Sequence, residues 1–284
     1  MGYETIIKKA DGTREAFDPE KLKRSLELAG ASEEQIVEVL KKVEEILYHD
    51  ITTKKIYRKA FAELKKIKKT VAISYSLNEA VKEFGPTGFP FEQFIAKVFS
   101  RFGYETQTGI YMPGMCIEHE IDLFARHKSH TFIAETKFHN EHGTKSDLQT
   151  ALYVKARFDD LWESPYLSYE EKPHSVWIIT NTKFTNSALK FGECAGITMI
   201  SWDHPPKGNL QCLIEESGLH PITAIPSLSK NEKRMLLNED LVLCRDVLEH
   251  SGDLDQFGVK NKKHRRVIED AELIIGSRGQ VCRT

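Results

Sequence analysis

Two acidic residues and a lysine lie in short apolar segments near the middle of the chain, where their side chains could act together. Asp122 ends the run Cys116-Ile-Glu-His-Glu-Ile-Asp122, and Glu135 and Lys137 end the run Phe132-Ile-Ala-Glu-Thr-Lys137. Because side chains two residues apart on a strand point to the same face, Glu135 and Lys137 are expected to share one cleft. Two neighbouring carboxylates repel each other, and a divalent cation relieves that repulsion. The pattern predicts a metal-dependent site that cleaves phosphodiester bonds.

Each residue of this group has a distinct part in the predicted chemistry. Hydrolysis requires a water molecule in line with the leaving oxygen and neutralisation of the charge that develops on the phosphate. Asp122, Glu135 and the backbone carbonyl of Thr136 are the predicted ligands of Mg²⁺ or Mn²⁺. Lys137 is expected to orient or deprotonate the water, and Glu92 could add a further acid. The alternative is an ordinary surface salt-bridge patch, against which the flanking apolar residues argue.

The elements that must position these residues follow from the spacing of apolar side chains. A stripe at helical spacing predicts an amphipathic helix packed against a sheet, with Phe91, Phe94, Ile95, Val98, Phe99 and Phe102 on its apolar face. Extended segments are predicted at 104–110, 117–125, 131–137, 176–180 and 197–201, and helices at 146–162 and 185–195. The order αβββαβαβ predicts an α/β core with a mixed sheet covered on both faces.

The segment after Lys137 carries further polar residues that could contact a phosphate or a metal. His139 and His142 are candidates for either contact, and Ser146 with Gln149 predicts a capping box at the start of the following helix. Lys145, Lys155 and Arg157 are candidates for backbone phosphate contacts. A solvated helix face is an equally good interpretation of Lys155 and Arg157.

This arrangement resembles the restriction-endonuclease-like superfamily, and the Mrr-type branch in particular, over about residues 86–205. The resemblance implies that the sheet-edge acid and the acid-x-lysine pair form the active site, supported by a helix acid and by a glutamine on the next helix. Asp122, Glu135, Lys137, Glu92 and Gln149 occupy those positions in this chain. The loop before Asp122 is longer than usual. A one-residue slip of the strand would therefore make Glu120 or Glu118 the partner acid.

The first 85 residues predict a short strand pair followed by helices. A strand is expected at 4–9, and Asp18-Pro19 is the predicted start of the first helix. Ser32 with Gln35 is the predicted cap of the second helix, and Thr52 or Thr53 that of the third. A fourth helix is expected at about 70–84. Gly85-Pro86 predicts a domain junction.

This region resembles an ATP-cone, the regulatory nucleotide-binding domain of ribonucleotide reductases, which implies an α+β fold with a β-hairpin and a helical bundle. The resemblance rests on the runs Ile7–Glu15, Phe17–Leu22 and Asp50–Thr53. It implies that ATP or dATP is bound by Lys9, Glu15, Lys21, Leu22 and Thr53. The alternative is a small domain without a ligand.

Residues 213–275 predict a small all-α region, because their apolar residues are spaced for short packed helices. From Gly218 to Lys260 this region resembles tandem helix-hairpin-helix modules, which implies contact with DNA phosphates through a helix start. The densest positive run lies near its end, with Lys260, Lys262, Lys263, His264, Arg265 and Arg266. Compact helical packing with a basic solvated end is the alternative.

Composition limits the classes of protein that need to be considered. The 284 residues are 40% hydrophobic and 29% charged, with a net charge of −2, which excludes a protein that coats nucleic acid non-specifically. No apolar run reaches the roughly 20 residues that span a bilayer, and the start of the chain lacks a signal-peptide pattern, so no membrane partner is expected. The five cysteines form no CxxC pair and no disulfide scaffold, which favours a cytoplasmic location.

Taken together, these features predict three domains: an ATP-cone-like domain at 1–85, a nuclease domain at 86–208 and a helical domain at 209–284. The predicted protein is a Mg²⁺-dependent DNA endonuclease, regulated by ATP or dATP and acting in defence against foreign DNA, with homo-oligomers expected. The alternative is a nucleotide-responsive regulator that binds nucleic acid without cleaving it. A transcription repressor of the ATP-cone class is disfavoured, because the chain has no paired cysteines for a zinc ribbon.

Overall fold

The computed structural model describes residues 5–9, 12–128, 130–141 and 143–276. Within these ranges the chain forms a mixed α/β structure with one three-stranded, one five-stranded and one two-stranded sheet. No helix there is long and apolar enough to cross a membrane.

The N-terminal region is a small sheet followed by helices, as predicted. Strand β1 pairs with β2 in antiparallel and with β3 in parallel orientation. The elements are β1 (Ile6–Lys8), β2 (Arg14–Ala16), α1 (Pro19–Leu28), α2 (Glu33–Glu44), β3 (Ile51–Thr52), α3 (Thr53–Ile67) and α4 (Lys69–Lys82).

Side-chain caps define the starts of α1, α2 and α3 at the predicted places. The Asp18 carboxylate accepts a hydrogen bond from the Glu20 backbone N–H at 3.0 Å, and Pro19 occupies the first helical position. Ser32 and Gln35 form the predicted capping box of α2. Thr52 rather than Thr53 caps α3. Because a cap satisfies backbone N–H groups that have no partner within the helix, these helix starts are encoded locally.

The middle region contains the predicted mixed sheet, with two additional strands of two residues each. The sheet order is β10-β8-β6-β5-β4, in which β10, β8 and β6 run parallel while β6, β5 and β4 are antiparallel neighbours. The elements are α5 (Phe89–Arg101), β4 (Glu105–Pro113), β5 (Glu118–His127), β6 (His130–Lys137), β7 (Lys145–Ser146), α6 (Leu148–Trp162), β8 (Ser175–Thr180), β9 (Lys183–Phe184), α7 (Asn186–Ala195) and β10 (Thr198–Ile200).

Helices cover both faces of this sheet, which confirms the predicted layering. Phe91, Phe94 and Phe99 of α5 are buried in one core together with Phe132 and Ala134 of β6. On the other face, a second core joins Ile133 and Ile178 of the sheet to Ala151 and Val154 of α6 and to Ala188 of α7. Alternate residues of β6 thus belong to different cores, as the pleat of a strand requires.

The C-terminal region consists of short helices joined by turns, also as predicted, with an isolated β-bridge between Pro221 and Leu243. Its helices are α8 (Leu210–Ser217), α9 (Lys230–Asn238), α10 (Cys244–Glu249) and α11 (His264–Gly276). They pack into the core that lies beneath α5. Of the four cysteines in the described residues, Cys116, Cys194 and Cys244 are free thiols and Cys212 is disulfide-bonded, so this part of the chain has no dense disulfide framework.

Helix α4 contributes to two cores and links the N-terminal region to the rest of the molecule. Val71 packs in the core of the first 72 residues, whereas Leu77 and Val81 are buried among residues of α5 and the C-terminal helices. The Thr223 hydroxyl donates to the carbonyl of Ala80 at 2.6 Å. The division into domains at residues 85 and 208 stays a prediction.

Candidate functional site

The strand register brings the two predicted metal-binding acids to facing positions. Leu123 of β5 pairs with Ala134 of β6, so the next step along this antiparallel register places Asp122 opposite Glu135. Directly opposed residues of antiparallel strands have Cβ atoms about 4.5–5.5 Å apart and project to the same face. The strand slip that would substitute Glu118 or Glu120 does not occur, and both of these residues are exposed.

Glu135 is a buried carboxylate whose two oxygens are both held by cations. Its side chain is 4% exposed, Lys137 Nζ forms an ion pair with Oε1, and Arg157 Nη1 donates to Oε2 at 2.6 Å. A carboxylate removed from water in this way needs such partners, because an unpaired buried charge is strongly destabilising. The predicted convergence of Glu135 and Lys137 on one face is therefore confirmed.

Asp122 is oriented by the strand next to it. The backbone N–H of Thr136 donates to Asp122 Oδ2 at 2.8 Å, and the Thr136 hydroxyl lies 3.4 Å from the same oxygen. Burial and the negative charge of Glu135 raise the pKa of Asp122, while the Thr136 N–H, Arg157 and Lys137 oppose that shift. The pKa is raised because removal from water and a neighbouring negative charge both disfavour the ionised carboxylate.

Glu92, on the first turn of α5, belongs to the same electrostatic cluster. Partial burial, followed by the charges of Asp122, Glu120 and Glu135, raises its pKa to about 7, and Lys137 opposes the shift. Its Oε1 lies against Gly88, where a Cβ would be only 3.3 Å away. A carboxyl with a pKa near neutrality is a typical general acid or base.

Gln149, the fifth predicted member of the site, is exposed on the first turn of α6. The capping box predicted for this helix start is wrong. Asp147 is the cap, and its carboxylate accepts from the Thr150 N–H at 3.1 Å, whereas Ser146 pairs with Phe184 between β7 and β9. Strand pairing thus takes Ser146 out of the capping position.

Ser146 and His139 form a separate contact close to the site. His139 Nε2 lies 3.1 Å from Ser146 Oγ, and burial together with the charge of Lys137 lowers the pKa of His139. Asn181 fixes the His139 backbone through two hydrogen bonds of 2.8 Å. His142, the second predicted histidine, lies outside the described residues.

Arg157 lies in the candidate site, at a position that the sequence did not predict. The interpretation of Arg157 as a solvated cation on the helix face beside Lys155 is wrong. Arg157 is 8% exposed, and its side chain turns inward to Glu135. Its guanidinium lies 4.5 Å from the centre of the Tyr153 ring. Lys155 instead pairs with Asp159 on the surface. Arg157 follows Ala151 and Val154 at helical spacing, on the apolar face of α6. This spacing could have indicated that its side chain is buried.

A second feature that the sequence did not reveal is the anchoring of the loop that joins β4 and β5. Asp160 of α6 holds this loop, because its carboxylate accepts from the Cys116 N–H at 2.9 Å and lies 2.8 Å from His119 Nε2. Burial disfavours the charged form of Asp160, but hydrogen bonds from Cys116, His119 and Ile117 outweigh it and lower the pKa to about 2. The loop that precedes the candidate acids is thus anchored to the helix that carries Arg157.

The residues present fit a hard divalent cation through oxygen ligands alone. Asp122 and Glu135 supply carboxylates, which Mg²⁺ prefers, and the predicted third ligand is the carbonyl of Thr136. Among the residues that the structure describes, no group of three or more His, Cys, Asp or Glu side chains is placed to hold a metal ion. A cation here would therefore depend on two carboxylates, the backbone and water.

The predicted nucleotide-binding residues of the N-terminal region lie mostly together. Lys9 Nζ lies 2.6 Å from Glu15 Oε2, and Lys21 Nζ lies 3.2 Å from Glu15 Oε1. The hydrogen bond from Lys9 is the main cause that lowers the pKa of Glu15. Thr53 opens α3 directly after β3, the neighbour of β1, whereas Leu22 is 8% exposed and packs in the core of this region.

Comparison with known proteins agrees with part of these expectations. The ATP cone domain model matches residues 5–81, and the model described as AF1548-like, C-terminal, matches residues 220–275. An uncharacterized protein of Archaeoglobus fulgidus is 35% identical over 183 residues, which are 64% of this chain and all of that protein.

A solved structure gives the same relationship at the level of the fold. The crystal structure of the protein of unknown function AF1548 is 34% identical, covers 67% of this chain and 99% of its own length, and superposes with a TM-score of 0.55. The shared identity over the full length of the relative shows common descent. The chain therefore belongs to the AF1548-like family, with an ATP-cone domain at its N-terminus.

Proposed function

We propose that this protein is a Mg²⁺-dependent DNA endonuclease of the restriction-endonuclease-like class, regulated by ATP or dATP bound to its ATP-cone domain. The observation that carries the proposal is the convergence of Asp122, Glu135 and Lys137 on one face of the sheet, with Glu92 beside them. Asp122 and Glu135 lie in facing positions, and the charge of Glu135 helps to raise the pKa of Asp122. A divalent cation would relieve this repulsion.

The chain's own residues have separate roles in the proposed cleavage. Asp122 and Glu135 would hold Mg²⁺, which supplies charge neutralisation on the phosphate when it is bound. Lys137, 39% exposed, is accessible to an incoming phosphate and orients the attacking water. Glu92, with a pKa of about 7, can exchange a proton at neutral pH.

Nucleotide regulation rests on the match to the ATP cone domain and on the cluster of Lys9, Glu15 and Lys21. The side chains of Lys9 and Lys21 are 40% and 63% exposed, so they can reach a phosphate without unfolding of the hairpin. Charge-assisted contacts of this kind are stronger than neutral hydrogen bonds.

A second candidate function is a regulator that binds nucleic acid without cleaving it. The observation that favours it is the engagement of both Glu135 oxygens by Lys137 and Arg157. A metal that bound through Glu135 would have to share or displace these partners. A cleavage assay separates the two functions.

The test is cleavage of supercoiled plasmid DNA by the full chain with Mg²⁺ or Mn²⁺. We expect Lys137→Ala and Asp122→Asn each to slow cleavage by about 100-fold or more, which is the usual magnitude for loss of a proton-transfer or charge-stabilising group. Asp122→Asn keeps an oxygen that can accept from Thr136, so the fold is expected to survive. Circular dichroism and the melting temperature check that it does.

The matched control is Lys190→Ala, which removes an exposed lysine of α7. This variant is expected to cleave like the parent protein. Undiminished cleavage by both site variants would rule out the assigned site, and the absence of metal-dependent cleavage by the parent protein would favour the non-cleaving regulator.

A further inference from the structure

A basic crevice lies where the end of α4, the loop after β6 and helix α9 meet. Its volume is about 410 Å³. It is lined by residues 82–87, Pro90, Asn140, Lys230, Lys233, Arg234, Leu237 and Asn238. None of the candidate catalytic residues and none of the proposed nucleotide-binding residues is among them.

The charge of the crevice is positive. Four cations line it, namely Lys82, Lys230, Lys233 and Arg234, together with the carboxylate of Glu83. Lys233 is paired with Glu83 at 2.7 Å and Lys82 with Glu79 at 3.0 Å, whereas Lys230 and Arg234 are exposed. The chain as a whole carries a net charge of −2, so this concentration of cations is a local feature that attracts anions.

Helix α9 presents its polar groups to the crevice in a row. Lys230, Arg234 and Asn238 recur at every fourth residue and so lie on one side of the helix, about 6 Å apart along its axis. Phe84, Pro86, Pro90 and Leu237 supply an apolar floor. Cations beside an apolar floor fit a ligand that combines phosphates with less polar sugar or base surfaces.

The position of the crevice points to the ligand. Asn140 follows Lys137 by three residues, a span of at most about 11 Å, and Pro90 precedes Glu92 by one turn or less of α5. The two segments that flank the crevice are thus those that carry two of the candidate catalytic groups. A strand of nucleic acid held at Lys137 would have its neighbouring phosphates within reach of this crevice.

We propose that the crevice binds the phosphodiester backbone of the DNA strand that enters the candidate catalytic site, with Lys230 and Arg234 as its principal phosphate contacts. This inference rests on the proposed endonuclease function. The nucleotide cluster of the ATP-cone domain is a separate set of residues, so a free nucleotide already has a proposed site elsewhere.

The test is binding of a fluorescently labelled DNA duplex, and of the corresponding single strand, to the full chain in EDTA, measured by fluorescence anisotropy over a range of salt concentrations. We expect Lys230→Glu/Arg234→Glu to weaken binding by about tenfold or more and to reduce the slope of log K against log salt by about 2, since each phosphate contact to a duplex contributes about 0.9. Lys41→Glu/Lys190→Glu is the control. It makes the same change in net charge on α2 and α7, and it should leave the salt slope unchanged.

The outcomes for the crevice and for the catalytic site can be told apart. Asp122→Asn is expected to lose cleavage and keep the salt slope, because it removes no cation. Lys137→Ala is expected to lose cleavage and to reduce the slope by no more than about 1, the contribution of a single phosphate contact. Unchanged affinity and slope for Lys230→Glu/Arg234→Glu would overturn the crevice as a DNA site and leave the endonuclease proposal intact. Loss of ATP binding by that variant, with DNA affinity retained, would identify a mononucleotide site and also overturn the inference.

Discussion

Single side chains in the candidate site show how burial and charge set its acidity. Glu135 is buried with Lys137 and Arg157 on its oxygens, whereas burial and then the neighbouring acids raise the pKa of Glu92 to about 7. The same residue type thus has different properties at two places in one cluster, because only one of them has a cation on each oxygen.

Glu92→Gln tests this electrostatic description. The pKa of Glu92 is raised from 4.5 to about 7, so between those values the folded chain holds a proton that the unfolded chain releases. The contribution of Glu92 to the free energy of unfolding therefore falls as the pH rises from 4.5 to about 7. Without divalent metal, Glu92→Gln should melt at a higher temperature than the parent protein at about pH 8, and the difference should shrink at about pH 4.

Glu118→Gln on β5 is the matched control, because Glu118 is exposed. We expect its melting temperature to follow that of the parent protein at both pH values. A stabilisation by Glu92→Gln that was equal at both pH values would show that a change in packing, rather than the raised pKa, causes the effect.

At the scale of elements, the β4–β5 hairpin is shaped by its contact with α6. The Gly114 N–H donates to the carbonyl of Ile117 at 2.8 Å, and the Met115 N–H donates to the carbonyl of Asp160 at 2.9 Å. Asp160 receives the remaining N–H groups of the loop. Hydrogen bonds from the backbone N–H groups of the loop to Asp160 thus hold the hairpin end against a helix that is distant in sequence.

Gly114→Ala tests how tightly this hairpin end is packed. A Cβ at Gly114 would lie 2.0 Å from Asp160 Oδ2 and 2.6 Å from the carbonyl oxygen of Ile117, so the backbone has to move. We expect a loss of about 1–3 kcal/mol in the free energy of unfolding, the usual cost of overpacking, measured by urea denaturation. Gly252→Ala is the control, since its Cβ would meet no atom within 4 Å. Equal stability of the two variants would contradict the tight contact.

At the scale of the whole molecule, α4 joins the ATP-cone domain to everything that follows. Ser74 of α4 donates to the buried Glu215 of α8, and Lys233 of α9 pairs with Glu83 at the end of α4. The Gln211 amide donates to the carbonyl of Leu28 at 3.1 Å. These contacts reach from the nucleotide-binding part to the wall of the basic crevice, so the two parts are expected to unfold together.

Nucleotide binding tests this connection. ATP at about 100 times its dissociation constant should stabilise the folded chain by about 2.7 kcal/mol. The melting transition, followed by calorimetry, should move upward as one peak by several degrees. Lys9→Ala/Lys21→Ala should abolish the shift, and Lys41→Ala should retain it. A second, nucleotide-insensitive peak would contradict the joined unfolding, and the absence of any shift would contradict nucleotide binding.

Features that depend on near neighbours along the chain could be predicted from the amino-acid sequence. The stripe of Phe91, Phe94 and Phe99 placed α5, the Ser32 capping box placed α2, and the acid-x-lysine spacing of β6 put Glu135 and Lys137 on one face. Periodicity and capping act within a few residues, so their signals can be read without knowledge of the fold.

Contacts between residues that are distant in sequence became evident in the folded chain alone. Arg157 reaches Glu135 across 22 positions, and Asp160 reaches Cys116 across 44. The crevice combines residues 82–87 and Pro90 with Asn140 and with five residues of α9. No local pattern specifies which buried charge will meet which partner, because that depends on how the helices pack on the sheet. The inward turn of Arg157 and the basic crevice are therefore properties of the folded chain.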